Sequence, residues 1–328
     1  MDDNDKIALF NIDSDTEFIT KALSVFRYQA ENNAIFRQFL NHLNCNPKKI
    51  TKIKDIPFLP IQFFKSHEVL CDNSSVQKTF LSSGTSGIQQ SKHLVADISL
   101  YEKSYLKGFS HFYGDISDYT VLALLPAYLE REGSSLTYMV ADLIKKSNKP
   151  HSGFYLNNLT ELADTLNTLD SRGEKILLIG VSFALLDLIE SFSFNLRNAI
   201  IMETGGMKGR RKELVRNELH QQLSKGFGVE KIHSEYGMTE LLSQAYSRGN
   251  GHFYSPPWMK IMIRDAEDAL SLGDYGETGG INVIDLANVN SCAFIATQDL
   301  GKTHINGSFE ILGRFDNSDI RGCNLMVI

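Results

Sequence analysis

Ser82-Ser83-Gly84-Thr85-Ser86-Gly87 is a run of small hydroxyl and glycine residues, entered from the apolar Thr79-Phe80-Leu81 and followed by Lys92. Glycine lets a backbone approach an anion, while hydroxyls and peptide N–H groups donate to it. The run reads either as a phosphate-gripping loop or as a Ser/Gly-rich surface turn. It is not a Walker A loop, which closes on Gly-Lys-Ser/Thr, because Lys92 stands between Ser91 and His93. The rest of the chain decides between the two readings.

Upstream, Phe18, Ala22, Val25, Phe26, Phe36, Phe39, Leu40 and Leu43 recur at helical spacing from about Asp15 to Leu43. This predicts one or two amphipathic helices, capped near Asp13 to Asp15 and broken near Asn32-Asn33. Their phenylalanine face reads as core packing rather than an acyl groove. Ile56-Pro57-Phe58-Leu59-Pro60-Ile61-Gln62-Phe63-Phe64-Lys65 carries two prolines three apart, which exclude a regular helix, so an extended, buried connector is expected.

Downstream, a helix is expected around Ser99–Phe109, then a buried strand from Tyr119 to Leu125 that ends at Pro126. A helix over Leu136–Ile144 follows, capped by Ser134 or Ser135. The same pattern repeats with a helix at Leu159–Leu169, a strand at Lys175–Val181 and a helix at Ala184–Ser191. Next come a strand at Ala199–Met202 and a charged helix at Arg211–Leu223. Alternating strands and helices predict an α/β fold with a mostly parallel sheet, whose ligand loops lie beyond the strand C-termini. Past residue 250 the helices thin out. Met259–Ile263, Gly280–Asp285, Ala293–Thr297 and Ser308–Leu312 read as strands between Gly/Asn/Asp turns. The expected organisation is an α/β core over 1–250 with an N-terminal helical segment, then a β-rich subdomain over 251–328.

A net charge of −6 on 328 residues argues against a dedicated nucleic-acid binder. The acidic N-terminus lacks the basic-then-apolar order of a signal peptide, and no apolar stretch is long enough to cross a bilayer. The four cysteines, Cys45, Cys71, Cys292 and Cys323, show no metal-ligand spacing, so free thiols in a reducing cytoplasm are expected.

Three later clusters bear on the opening run. Glu235-Tyr236-Gly237-Met238-Thr239-Glu240 places an aromatic that can stack on a base beside a hydroxyl for a phosphate and a hard oxygen for Mg²⁺. Thr297-Gln298-Asp299-Leu300-Gly301 ends a strand with a carboxylate suited to ribose hydroxyls, and Gly313-Arg314-Phe315-Asp316 adds a cation. Taken singly, each also reads as a turn or a surface ion pair. All three are expected in loops between structured stretches.

In this order, the motifs resemble those of the adenylate-forming superfamily from about residue 55 onward. Ile56–Lys65, Leu125-Pro126-Ala127-Tyr128-Leu129-Glu130-Arg131 and Glu203-Thr204-Gly205-Gly206-Met207-Lys208-Gly209 most resemble the acyl-protein synthetases, the fatty-acid-activating components of the bacterial luminescence reductase complex. The resemblance implies ATP and Mg²⁺, a fatty or other carboxylic acid, and an acyl-acceptor protein, carrier or reductase/acyltransferase subunit as partner. It implies that Ser82, Ser83, Gly84, Thr85, Ser86 and Gly87 bind the ATP β- and γ-phosphates. Gly205 and Gly206 line the adenine pocket, with Tyr236 and Gly237 against the base. Thr239 contacts the α-phosphate and Glu240 holds the metal, while Asp299 and Arg314 fix the ribose. The family also carries its acyl group on a cysteine near the C-terminus, a place that Cys323 fills. Two departures stand out. Gln89-Gln90-Ser91 intervenes before Lys92, and the chain stops where CoA ligases continue into a mobile C-terminal domain. The alternatives are a ligase that delivers its acyl or aryl group to CoA or a carrier thiol, and a nucleotide-binding subunit without turnover.

Overall fold

The computed structural model describes residues 2–72, 74–83, 90–125, 133–205 and 214–315. In chain order its strands are β1 (Leu59–Pro60), β2 (Lys78–Leu81), β3 (Lys92–Val95), β4 (Thr120–Leu124), β5 (Gly153–Phe154), β6 (Ile176–Val181) and β7 (Ala199–Thr204). Then follow β8 (His233–Tyr236), β9 (Ala245–Ser247), β10 (Phe253–Tyr254), β11 (Met259–Arg264), β12 (Thr278–Asp285), β13 (Phe294–Thr303) and β14 (Phe309–Arg314). One sheet runs in the order β11-β12-β13-β14-β10-β9-β8-β7-β6-β4-β5, with β1 added beside β13, and β2-β3 form a separate hairpin.

From β5 to β8 the pairing is parallel, and from β8 to β11 it is antiparallel. The parallel half follows from composition. Every residue of β4 and β6 is buried and nearly all are aliphatic, as a strand covered on both faces requires. Helices Ser135–Ser147, Leu159–Ser171, Ser182–Ser191 and Arg216–Phe227 alternate with these strands. Ser134 caps the first of them, its Oγ accepting from Thr137 N at 3.3 Å. The expected α/β core and β-rich region are thus two halves of one continuous sheet.

The predicted break near Asn32-Asn33 is real. Helices Asp15–Asn32 and Ala34–His42 flank an extended Asn33, whose side chain accepts from Phe36 N and donates to Ser291 O, both at 2.9 Å. The phenylalanine face is core: Phe26 and Phe36 pack on each other and on Phe294 of β13, with centroids 5.8–6.2 Å apart. Gln29 is fully buried and donates to the carbonyls of Asn288 and Val289 while accepting from Ala293 N. The proline-bearing connector contributes β1, parallel to β13, and then turns once as a helix at Phe63–Ser66.

Several boundaries differ from expectation: β13 runs on to Thr303 rather than stopping at Thr297, and two others change an element's start. The charged helix starts at Arg216 rather than Arg211, and residues 211–213 lie outside the described part; Leu219, Leu223 and Phe227 form its buried face and set its register. β8 covers His233–Tyr236 rather than Lys231–His233, because Ser234 and Glu235 are paired between β7 and β9. Sheet pairing here overrides the low strand propensity of polar residues.

At the end of β12, Asp285 is fully buried. Its carboxylate accepts from Leu242 N (2.8 Å), Ser243 N (3.0 Å), Ser243 Oγ (2.5 Å) and Ala287 N (3.2 Å). Ser243 Oγ also accepts from Trp258 Nε1 at 3.0 Å and lies 2.9 Å from Ser104 Oγ. Asp285→Ala leaves these donors in a dry site, so urea unfolding should register a loss of about 3 kcal/mol or more. A loss below about 1 kcal/mol would mean that water replaces the carboxylate.

Candidate functional site

Of the described residues singled out in the sequence, Tyr236, Asp299 and Arg314 stand on strands, whereas Gly237, Thr239 and Glu240 lie in the loop expected after β8. β7 ends at Thr204, and Gly205 beyond it adopts φ +66°, a left-handed conformation suited to glycine. Ser182, opening the helix after β6, donates to Gly205 O at 2.8 Å. Tyr236 closes β8, Asp299 lies within β13, and Arg314 ends β14 directly opposite Asp299. Ladder pairing fixes these side chains more tightly than a loop would.

Tyr236, Asp299 and Arg314 form one linked group. The Tyr236 hydroxyl donates to Asp299 Oδ2 at 2.8 Å, and Arg314 Nε donates to Oδ1 at 3.0 Å. The Asp299 side chain is only 8% exposed, whereas that of Arg314 is 79% exposed. Burial, together with the Asp299 charge, pushes the Tyr236 hydroxyl well above the usual phenol range, so it remains a donor. The Tyr236 ring sits edge-on to Phe253 and Phe309, at 6.2 and 5.9 Å. Arg264 adds a buried guanidinium on the same side, donating to Ile281 O, Asn282 Oδ1 and Thr297 O.

Beyond β8, the Thr239-Glu240 segment is held by residues that sequence reasoning missed. His93 Nδ1 donates to Thr239 O at 2.8 Å, and Asn288 Nδ2 donates to Glu240 O at 2.8 Å. His93 Nε2 lies 3.0 Å from Asn288 Oδ1, so both ring nitrogens face acceptors. Burial nevertheless pushes the imidazolium pKa down to about 4, and a neutral ring satisfies only one of the two. Thr239 and Asn288 lie far from His93 in sequence, and no local pattern marks the contact. The only available signal was a histidine just after the glycine run.

The Glu240 side chain is almost fully buried, and burial pushes its carboxyl up. A hydrogen bond from Ser91 and the nearby charges of Arg314 and Lys65 oppose that shift. A carboxylate is the kind of oxygen ligand that Mg²⁺ takes, one or two at a time, completing its shell with phosphate oxygens and water, and the charges of Arg314 and Lys65 would call for such phosphate oxygens alongside it.

The glycine run joins β2 to β3. Its flanks are closed by Ser82 N to Ser91 O (3.1 Å) and Ser91 N to Ser82 Oγ (2.9 Å). Because Ser91 also reaches Glu240, the base of the run stands beside the Thr239-Glu240 segment. Ser83 is exposed, as is Lys92 at the start of β3. Gly84, Thr85, Ser86, Gly87, Gly206 and Cys323 lie outside the described residues.

Two buried polar groups lie at Gly237. A Cβ there would overlap Glu235 Oε1, so only glycine leaves space for that carboxylate. Among the described residues, Gln244 Oε1 is buried with no hydrogen-bond partner, next to Gly237. An orphaned acceptor of this kind fits a ligand that brings an N–H group.

Burial pushes the Glu235 carboxyl up to about 7, the Thr204 hydroxyl at 2.5 Å opposes this, and the Glu203 charge adds to it. Between about pH 4.5 and pH 7 the native state keeps a proton that the unfolded chain has released. Stability therefore falls as pH rises through that window, by about 3 kcal/mol, and levels off above it. The melting temperature relative to Glu235→Gln should drop from about pH 5 to about pH 7.5. Parallel profiles in the two proteins would exclude Glu235 as the titrating group.

No family model matches the chain. The long-chain-fatty-acid–luciferin-component ligase of Vibrio harveyi is 25% identical, covering 92% of this chain and 84% of the relative. Among solved structures, 2-hydroxyisobutyryl-CoA ligase in its postadenylation state with 2-HIB-AMP superposes with a TM-score of 0.70 at 14% identity, over 92% of this chain and 68% of that one. ATP-bound MatB from Rhodopseudomonas palustris superposes with a TM-score of 0.53 at 18% identity, over 73% of this chain. The chain spans about half the length of MatB, 48%. The chain has the fold of the adenylate-forming ligases, and over most of its length its sequence is similar to that of a fatty-acid ligase.

Proposed function

We propose that this chain uses ATP to activate a fatty acid and passes the acyl group to a cysteine, on itself or on an acceptor protein. In the first step a carboxylate oxygen of the acid attacks the α-phosphorus. The bond from that phosphorus to pyrophosphate breaks, giving acyl-adenylate and pyrophosphate. In the second step a thiolate attacks the acyl carbon, the bond to AMP breaks, and a thioester forms, the thiol proton having passed to solvent. The convergence of Tyr236 and Arg314 on Asp299, beside Glu240, carries this reading. The relative's name pairs a long-chain fatty acid with a luciferin component, which supports the choice of acid and of a protein acceptor.

In this scheme Ser82–Gly87 grip the β- and γ-phosphates. Gly205, Gly206 and Gly237 border the base, Tyr236 offers it a ring face, and Gln244 Oε1 accepts from its amino group. Thr239 donates to the α-phosphate, Asp299 accepts from the ribose hydroxyls, and Arg314 orients Asp299. Glu240 would hold Mg²⁺, which neutralises phosphate charge when bound. The protein contributes positioning and fixed charge rather than covalent chemistry in the first step. Residues 1–250 supply the phosphate and base contacts, and residues 251–328 supply the ribose contacts and the acceptor.

Burial pushes the thiols of Cys71 and Cys292 up to about 12 and raises that of Cys45, so none of the three offers an accessible thiolate near neutral pH. That leaves Cys323 as the acceptor within the chain. The free state of the three described cysteines agrees with a cytoplasmic protein, and no described helix is long and apolar enough to cross a membrane.

Acid-dependent pyrophosphate release should fall by on the order of 100-fold in Glu240→Gln; full activity in that variant would sink the site assignment. Intact-protein mass spectrometry after incubation with Mg-ATP and a panel of fatty and aromatic acids should show a hydroxylamine-labile acyl adduct that Cys323→Ser loses. Pyrophosphate release without an adduct would move the acceptor to another molecule. Absence of both signals would favour a subunit without turnover.

A further inference from the structure

Outside the nucleotide site, His252, His304 and Glu310 gather at the turn end of the β13–β14 hairpin. One ligand atom from each lies within 4.8 Å of the others. His304 follows β13, Glu310 stands on β14 opposite Lys302, and His252 immediately precedes β10, which pairs with β14. Three neighbouring segments of one sheet therefore supply the cluster. His304 Nε2 is 2.8 Å from Glu310 Oε1, and the two imidazole centroids are 5.1 Å apart. The turn between the strands is closed by His304 N to Ser308 O (2.8 Å) and Gly307 N to His304 O (3.0 Å), which fixes the His304 backbone.

The surroundings also set a tautomer. Ser308 Oγ donates to Asn306 Oδ1 at 2.7 Å, so toward His252 Nδ1, 3.4 Å away, it offers a lone pair. His252 then carries its proton on Nδ1 and presents a bare Nε2. An outer hydrogen-bond partner that fixes the ring in this way is the usual companion of a metal-bound histidine.

We propose that His252, His304 and Glu310 bind a divalent cation of the zinc class. Two imidazoles and one carboxylate are a donor set that such ions accept, leaving a position for water. Mg²⁺ prefers oxygen ligands, so this site is chemically distinct from Glu240. All three side chains are half-buried, and the cluster is open to ion entry. Ligand atoms around a tetrahedral ion stand about 3.3 Å apart, so the His304–Glu310 pair opens by about 0.5 Å and the proton it shares leaves to solvent. The ion would tie the turn end of the hairpin whose other end pairs Asp299 with Arg314.

The test uses the full chain, stripped with a chelator and titrated with Zn²⁺ by calorimetry without nucleotide. Co²⁺ absorption is recorded in parallel. We expect one ion per chain at micromolar affinity, and cobalt d–d bands without a thiolate charge-transfer band. His304→Gln and Glu310→Gln should each weaken binding at least about 10-fold. Absence of Zn²⁺ binding at millimolar concentration would overturn the proposal and leave a plain His304–Glu310 hydrogen bond. Undiminished affinity in both variants, or a thiolate band that places the ion on cysteines, would overturn it equally. If His304→Gln fails to fold, His252→Gln keeps the hairpin bond intact and gives the same reading.

Discussion

The backbone from Thr239 to Ser243 sits where it does because buried polar side chains from distant parts of the chain hold it there. Asp285 takes the amides of Leu242 and Ser243, Asn288 donates to the Glu240 carbonyl, and His93 donates to that of Thr239. Further contacts brace this arrangement. Gln29, from the N-terminal helix, donates to the carbonyls of Asn288 and Val289, and Ser243 Oγ accepts from Trp258. Leaving a buried backbone group without a partner costs about 1–3 kcal/mol, so the network over-determines one geometry for the Thr239 hydroxyl and the Glu240 carboxylate. The N-terminal helices, which contribute no residue to the site, thereby decide its shape.

Burial shapes the charges as well. Glu235, Glu240 and Asp285 are all pushed toward the protonated form by desolvation, and each is drawn back by hydrogen bonds. They differ in the cations nearby. Glu240 feels Arg314 and Lys65, whereas the charge closest to Glu235 is another carboxylate, Glu203. At Glu240 the two cations oppose the upward push of burial, whereas Glu203 adds to it at Glu235, whose carboxyl is raised to about 7. Carboxylates five positions apart in sequence thus share one direction of shift but differ in the charges that face them.

The α/β half of the fold was legible because it is written in short range. The aliphatic runs of β4 and β6, the cap at Ser134 and the break at Asn33 each follow from a few neighbouring residues. The motif residues were legible as chemical types, and the structure joins Tyr236, Asp299 and Arg314 as a group. What was not legible is what depends on long-range pairing. Glu235 and Tyr236 read as a polar loop, yet β7 and β9 recruit them into a strand. His93 and Asn288 meet across 195 positions, and neither carries a pattern that announces the other. The 206–213 and 316–328 segments, which include Gly206 and Cys323, fall outside the described residues.

The Tyr236–Asp299 bond makes a demand on the sheet as a whole. Tyr236 ends β8 and Asp299 lies on β13, with β9, β10 and β14 between them. Four strand spacings in a flat sheet would separate them by about 19 Å, far beyond the reach of a tyrosine side chain. The hydroxyl nevertheless lies 2.8 Å from the carboxylate, so the sheet curls across this seam. The intervening strands permit it: β9 has three residues, β10 has two, and β10 meets β14 through the single pair Phe253–Phe309. Short strands have few ladder bonds with which to resist twisting. The apolar filling of the curl is a small second core of Tyr236, Ala245, Phe253 and Phe309, apart from the main one. Packing of two phenylalanines against the Tyr236 ring therefore bears on the distance between that ring and the Asp299 carboxylate. A change in their volume would shift the Tyr236 ring, which they touch, relative to the Asp299 carboxylate that it reaches across three intervening strands.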